Sequence, residues 1–214
     1  MIAFIDLDGT IIDSFKRHYI LLKRILNKYG VSKKFLYDDY REKKTDGLNN
    51  IKYMTDVLNI SDKLAKEIQK EWIDNIESKE MLNFDVLYND SIDFLEFLKQ
   101  EGYDIIFLTA RNNEKLTLLQ LKKLGLYKYS KKVIIVNTEN SIANKSAIID
   151  REKNNDCIMV GDTEVDYKSS KNCQIDCYIL NRGFRSLNFL NQIGVKKSYT
   201  DLYKIMEELY DKKL

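Results

Sequence analysis

Residues 2–14 read IAFIDLDGTIIDS: four apolar residues, two aspartates one position apart, then glycine and threonine. A short apolar run with no polar alternation reads as a strand buried on both faces, the pattern of a parallel sheet. Asp6 and Asp8 then stand at the carboxyl end of that strand. Gly9 can take backbone angles closed to other residues and turn the chain sharply beyond the two acids.

Working outward, four further apolar runs have the same character: DIIFLT at 104–109, KVIIV at 132–136, CIMVG at 157–161 and CYIL at 177–180. Helical patterns separate them. Ser91 can cap a helix carrying Ile92, Leu95 and Leu98 that stops at Gly102, and Asn112 one carrying Leu116 and Leu119 that stops at Gly125. Strand alternating with helix predicts an α/β fold, a doubly wound, Rossmann-like parallel sheet. The alternation breaks between residues 14 and 84. There Phe15, Tyr19, Leu22, Leu26 and Tyr29, and after Ser61 Leu64, Ile68 and Trp72, recur at helical steps. The expected organisation is an α/β core of 1–13 and 86–214 with an inserted all-helical cap of 14–85. Ligands of open α/β sheets lie at the carboxyl ends of the strands, and the cap would project over them. Hinges are expected near 13–16 and 82–88.

Composition limits the function classes. The chain has 214 residues, 44% hydrophobic and 32% charged, which suits a folded globular protein rather than a disordered one. No stretch approaches the roughly 18 apolar residues of a membrane span, and Asp6 interrupts what a signal peptide would need. The expectation is a cytoplasmic protein, a monomer or weak homodimer, with no membrane partner. The net charge of +2 argues against a nucleic-acid binder. Locally, residues 16–52 hold eleven Lys/Arg against four Asp/Glu, either a solvated helix face or a surface that attracts an anionic substrate. Cys157, Cys173 and Cys177 lack zinc-site spacing and read as buried free thiols. There is no G-x-G-x-x-G and no G-x4-G-K-[ST] motif. Proline is absent, where average usage would give about ten residues; no function is read from this.

The chemistry sits in carboxylates. Asp162 and Asp166, in GDTEVD, follow the run 157–161 as Asp6 and Asp8 follow the first. Adjacent parallel strands would gather these acids at one edge, where two like charges 4 Å apart repel by about 4 kcal/mol at an effective dielectric near 20. A bound cation relieves this, and carboxylate oxygens suit Mg²⁺.

DLDGT at 6–10, LTAR at 108–111, Lys145 before a helix and GDTEVD at 161–166 resemble the four ordered motifs of the haloacid dehalogenase superfamily. The resemblance covers nearly the whole chain, including a helical cap after the first motif, as in members like phosphoglycolate phosphatase and β-phosphoglucomutase. It implies Asp6 as the nucleophile that forms an aspartyl-phosphate, and Asp8 as the general acid and base. It implies Mg²⁺ held by Asp6, the backbone carbonyl of Asp8 and Asp162, with Asp166 close by, Thr109 bonded to a phosphoryl oxygen, and Lys145 adding positive charge. Lys153 also precedes the fourth motif and is the alternative lysine.

The expected activity is Mg²⁺-dependent hydrolysis of a small phosphorylated metabolite. Dehalogenation is disfavoured, because relatives with that chemistry lack the acid matching Asp8. A β-phosphoglucomutase-like phosphomutase is the alternative: His18 lies at the offset from Asp6 where those members place a cap-hinge histidine, though KTDGLNN at 44–50 lacks their arginine. A silent binding protein of the same fold is a further alternative, against which both acids of DLDGT are intact. For substrate binding, Arg111 follows the second strand and would touch the phosphate or a second anionic group, or else pair with a carboxylate on the surface. His18, Arg41 and Lys44 are further candidates, and 41–50 the expected specificity loop, its cations available for a carboxylate or second phosphate. Asp6→Asn and Asp8→Asn are each expected to abolish activity and leave the fold intact.

Overall fold

The run Ile2–Ile5 forms β1 near the middle of a six-stranded parallel sheet in the computed structural model, which describes residues 1–212. The other strands are β2 (Ile12–Asp13), β3 (Val86–Leu87), β4 (Asp104–Ala110), β5 (Ser130–Val136), β6 (Cys157–Gly161), β7 (Asp176–Leu180) and β8 (Ser198–Tyr199). Their order is β5-β4-β1-β6-β7-β8, while β2 and β3 pair antiparallel as a separate two-stranded ribbon. Every residue of β1 is buried because parallel strands flank it and helices cover both faces. The doubly wound α/β sheet is as expected. Strand β8, two residues long, carries too little pattern to be seen in sequence.

The helices are α1 (Phe15–Lys28), α2 (Tyr37–Thr45), α3 (Asn50–Lys52), α4 (Asp62–Asn75), α5 (Lys79–Leu82), α6 (Ser91–Gln100), α7 (Glu114–Lys123), α8 (Ser141–Glu152), α9 (Glu164–Asn172), α10 (Leu187–Gln192) and α11 (Leu202–Asp211). Two expected caps shift by one residue. Asp90 rather than Ser91 precedes α6, since the Ser91 hydroxyl donates to the Ile11 carbonyl at 2.7 Å and ties the helix to the turn after β1. Asn113 rather than Asn112 caps α7, its side chain accepting from the Leu116 amide at 3.0 Å.

One apolar cluster fills each face of the sheet, Leu95 and Phe107 on one side and Phe4 and Met159 on the other. A third cluster belongs to α1–α5: Leu22, Leu26, Tyr40, Tyr53 and Ile68 pack with Phe15, joined by Phe184 from the loop after β7. That one ring from the sheet side enters this core explains how the helical segment is seated. Ser186 reinforces the seat, its amide donating to the Thr45 carbonyl at 2.9 Å and its hydroxyl to Asp46 at 2.5 Å. A π-helical turn at Tyr53–Val57 continues α3. The expected loop at 41–50 is half helix, α2 running to Thr45, because Tyr40 buries against Phe15 and Phe35. Cys157 and Cys173 are buried free thiols, whereas Cys177 is half-buried. No helix among the described residues is long and apolar enough to cross a membrane.

Candidate active site

Parallel register gathers the acids. Ile5 lies opposite Phe107 on β4 and Val160 on β6, and the Asp6 amide donates to the Val160 carbonyl at 2.9 Å. Asp6 therefore stands level with Gly161, the residue before Asp162 at the end of the neighbouring strand, and α9 returns Asp166 beneath them. Carboxylate oxygens of Asp6, Asp162 and Asp166 lie within 4.8 Å of one another, all three residues buried. Asp166 is fixed twice over: Oδ2 accepts from the Thr163 amide and hydroxyl at 3.2 and 2.8 Å, closing a capping box at the start of α9, while Oδ1 accepts from Lys145.

Lys145 Nζ is 2.7 Å from both Asp6 Oδ1 and Asp166 Oδ1. Although burial opposes its charge, the two carboxylates win and hold its pKa above the usual lysine range. Lys153 instead pairs with Asp150 and donates to the Cys173 carbonyl, in a groove at the amino ends of the strands with Met1 and Tyr103. Of the two lysines, Lys145 is the one at the acids.

Even so, the carboxylates outnumber the cation. Burial raises Asp6 to about 7 against the pull of Lys145, with Asp166 adding repulsion. Burial together with Asp6 and Asp166 pushes Asp162 well above the ordinary range, opposed by the Phe184 amide, which donates to Asp162 Oδ2 at 2.6 Å. The Thr10 hydroxyl adds a bond of 3.3 Å to Oδ1. Three crowded carboxylates with one ammonium fit a hard divalent cation, which takes oxygen donors and offsets their repulsion. Asp6, Asp162 and Asp166 are the residues that could hold it.

Two glycines make room for Asp162. A methyl group at Gly183 would stand 2.1 Å from its Oδ2, and one at Gly9, whose φ is +79°, would stand 2.2 Å away. Gly183→Ala, free of any left-handed constraint, isolates the steric effect: a destabilisation of about 1–3 kcal/mol is expected, and a divalent cation held by Asp162 would bind more weakly as that side chain is displaced. Thermal melting and calorimetric Mg²⁺ titration check it; unchanged affinity would remove Asp162 from the cation site.

Asp8 faces elsewhere. Its carboxylate takes a forked contact from Arg111, Nε to Oδ2 at 2.7 Å and Nη2 to Oδ1 at 2.9 Å, and a third bond from Arg17 Nη2 at 2.7 Å. Burial would raise its pKa, but the two guanidiniums outweigh it and hold the carboxyl well below the usual range. Asp85 backs this pair, 3.2 Å from Arg17 Nε and accepting from Gln120 at 2.7 Å. Arg111 thus pairs with a carboxylate, but in the interior rather than on the surface, with 3% of it exposed.

A cavity of about 410 Å³ opens over these groups, lined on the sheet side by Asp6, Asp8, Thr109, Arg111 and Lys145, and on the helical side by Arg17, His18, Gln69, Trp72 and Ile76. Among the expected residues, Asp162 and Asp166 sit just beneath this lining. Arg41 and Lys44 are not brought into it. Arg41 donates to the Tyr37 hydroxyl and the Arg182 carbonyl and lies over the Phe15 ring. Lys44 donates to Asn50 Oδ1 at 2.8 Å behind Trp72, and burial, helped by Arg185, lowers its pKa to about 7. Sequence reasoning passed over Arg17, Gln69, Asp85 and Phe184. Arg17 and Lys16 look alike in sequence, and only the docking of α1 buries one and exposes the other.

The model of haloacid dehalogenase-like hydrolases matches residues 1–174. The chain belongs to the haloacid dehalogenase-like hydrolases. Solved structures share the hydrolase fold across the whole chain. A Clostridium difficile protein provisionally named a phosphatase matches with a TM-score of 0.77 at 20% identity, covering 97% of both chains. A Lactobacillus delbrueckii protein provisionally named a phosphoglycolate phosphatase gives 0.68 at 19%, again over 97% of each. A Thermotoga maritima protein provisionally named a β-phosphoglucomutase gives 0.66 at 18%, over 99% of each. No curated protein matches the hydrolase in sequence.

Proposed function

We propose that this hydrolase is a Mg²⁺-dependent phosphomonoesterase acting on small phosphorylated metabolites, with residues 14–85 as its cap domain. The observation that carries this is Asp6 at the end of β1, bordering the cavity and held by Lys145 beside Asp162 and Asp166. Asp6 Oδ attacks phosphorus, the bond from phosphorus to the ester oxygen breaks, and Asp8 gives the leaving oxygen its proton. Water then attacks the aspartyl-phosphate, Asp8 takes a proton back, and the bond from phosphorus to Asp6 breaks to release inorganic phosphate. Asp6, Asp162 and the Asp8 carbonyl, with Asp166 adjacent, would hold Mg²⁺, which would neutralise charge on the anionic nucleophile and the phosphate. Thr109 orients a phosphoryl oxygen and Lys145 stabilises its charge.

For Asp8 to carry a proton, its ion pairs must loosen. Arg17 rides on α1 and Arg111 follows β4, so separation of the helical segment from the sheet withdraws one of the two cations. Cap movement and proton transfer are coupled in this way.

Phosphomutase activity is the second reading, favoured by His18 in the cavity lining. Phosphate release from an aryl phosphate, with Mg²⁺ and with chelator, tests the hydrolase; isomerisation of β-glucose 1-phosphate with trace bisphosphate would favour the mutase. A thermal measurement tests the cation. Asp6 is raised to about 7 in the fold from a reference of 3.8, so the stability it gives the metal-free protein is present at low pH and lost as pH rises through that window. Mg²⁺ competes with those protons and is therefore expected to raise Tm more at pH 8 than at pH 5. An equal shift at both pH values would contradict the carboxylate site.

A further inference from the structure

The helical wall of the cavity has a chemistry of its own. Gln69, Trp72, Ile73 and Ile76, at the helical spacing of α4 and its end, face the site together with Glu77. This α4 face brings no cation, and the one on the helical side, Arg17 of α1, is bonded to Asp8. Glu77 presents a carboxylate to the site, held in place by the Asn112 and Asn113 amides at 2.9 and 2.6 Å. The cations that do line the cavity, Arg17, Arg111 and Lys145, are each within 2.7 Å of an aspartate oxygen. Arg41 and Lys44, the cations that sequence would have offered to a second anionic group, lie outside it.

The wall also carries two polar atoms without partners. Gln69 Oε1 and His18 Nδ1 are shielded from solvent and bonded to nothing, although a buried polar group left unmatched is costly and is normally satisfied. His18 is wedged between Trp72 and Phe184, ring centroids 5.2 and 4.7 Å away. Burial first, and the Arg17 and Lys44 charges next, keep it neutral. A hydroxyl can donate to Gln69 Oε1 and also exchange a bond with a neutral imidazole. A carboxylate could use only their N–H groups, would leave Gln69 Oε1 unmatched, and would meet Glu77 while each cation lining the cavity is already bonded to an aspartate.

We infer that the α4 face selects the leaving group: the substrate is the monophosphate of an uncharged, hydroxyl-bearing compound of sugar type, bound by Gln69 and His18 against Trp72, and esters carrying a second anionic group are rejected. This rests on the phosphomonoesterase reading and names its substrate class. A carboxylate-bearing ester such as phosphoglycolate is excluded as the preferred substrate.

The test compares kcat/KM for glycerol 1-phosphate and 3-phosphoglycerate, which share a three-carbon skeleton and differ by a hydroxymethyl group in place of a carboxylate, with methyl phosphate as the minimal ester. The expected result is a preference of about tenfold or more for glycerol 1-phosphate, the size of one lost polar contact. Gln69→Leu is expected to raise its KM several-fold with kcat less affected, and Gln69→Lys to shift the preference towards 3-phosphoglycerate by about tenfold, as a new cation on that face should. A purely structural role for Gln69 would instead lower kcat alike for all three esters, and would overturn the inference. So would equal or better turnover of 3-phosphoglycerate by the wild type, with phosphate still released from methyl phosphate, which leaves the hydrolase reading standing. No release from any ester would refute that reading and the inference together.

Discussion

Asp6→Asn is expected to eliminate Mg²⁺-dependent phosphate release, with a loss of at least about 10⁴-fold, the scale seen when a covalent nucleophile is removed. The amide oxygen is a poor nucleophile, and the amide cannot provide a carboxylate to a cation. The fold should survive. Lys145 keeps Asp166 at 2.7 Å after losing Asp6, and burial already pushes the Asp6 carboxyl to about 7, so a neutral side chain at this position relieves crowding with Asp162 and Asp166. Circular dichroism and melting of the metal-free variant, beside the phosphate assay, separate the two effects. Wild-type turnover in the variant would end the aspartyl-phosphate mechanism. A melting temperature several degrees lower would mean that the Asp6–Lys145 contact carries the fold as well as the chemistry.

Asp8→Asn is expected to lose activity to a similar degree, and here the structure changes the expectation for stability. Sequence alone makes Asp8 a second acid on a turn, removable without harm. In the fold it is the shared partner of two buried guanidiniums, three hydrogen bonds in all. An asparagine can accept at one oxygen only, leaving Arg17 to Asp85 and Arg111 to Gln120. Breaking a fully buried pair costs about 3–5 kcal/mol, and because Asp8 keeps 19% exposure and its partners keep other contacts, about 2 kcal/mol is the expected loss. In a protein of this size that lowers Tm by about 4–8 °C. A variant as stable as the wild type would show that Arg17 and Arg111 do not depend on Asp8. In that case the proposed coupling between cap movement and the acid would fall with it.

The contrast between these neighbours shows where reading the sequence stops. Asp6, Asp8, Asp162 and Asp166 were legible because each follows an apolar run: such a run fixes a strand, which is a local property, and a strand end fixes where the next side chain goes. Lys145 was legible as one of two candidates, and the position of α8 beside the acids distinguishes it from Lys153. The basic stretch of 16–52 was legible as charge but not as function. Arg17 turns inward to Asp8, Arg41 to backbone and ring, and Lys44 is buried against Asn50, so these three of the eleven cations face other partners than a bound anion. Gln69 and Phe184 carried no signal; each matters only because a segment distant in sequence is packed against it.

The sequence by itself determined the doubly wound sheet, the helices between β2 and β3 and the carboxylates at the strand ends, since each follows from unbroken apolar runs, from the helical period of 3.6 residues and from residue types that cannot be buried without a partner. Tertiary structure alone decided which charges neutralise one another, that Asp8 is locked between Arg17 and Arg111, and that the α4 face over the acids presents Gln69, Trp72 and Glu77 rather than cations. Pairing of charges is a matter of distances of 3 to 4 Å between side chains far apart in the chain. No spacing along one strand or helix encodes those distances, because they are set by how α1 and α4 come to rest above the sheet.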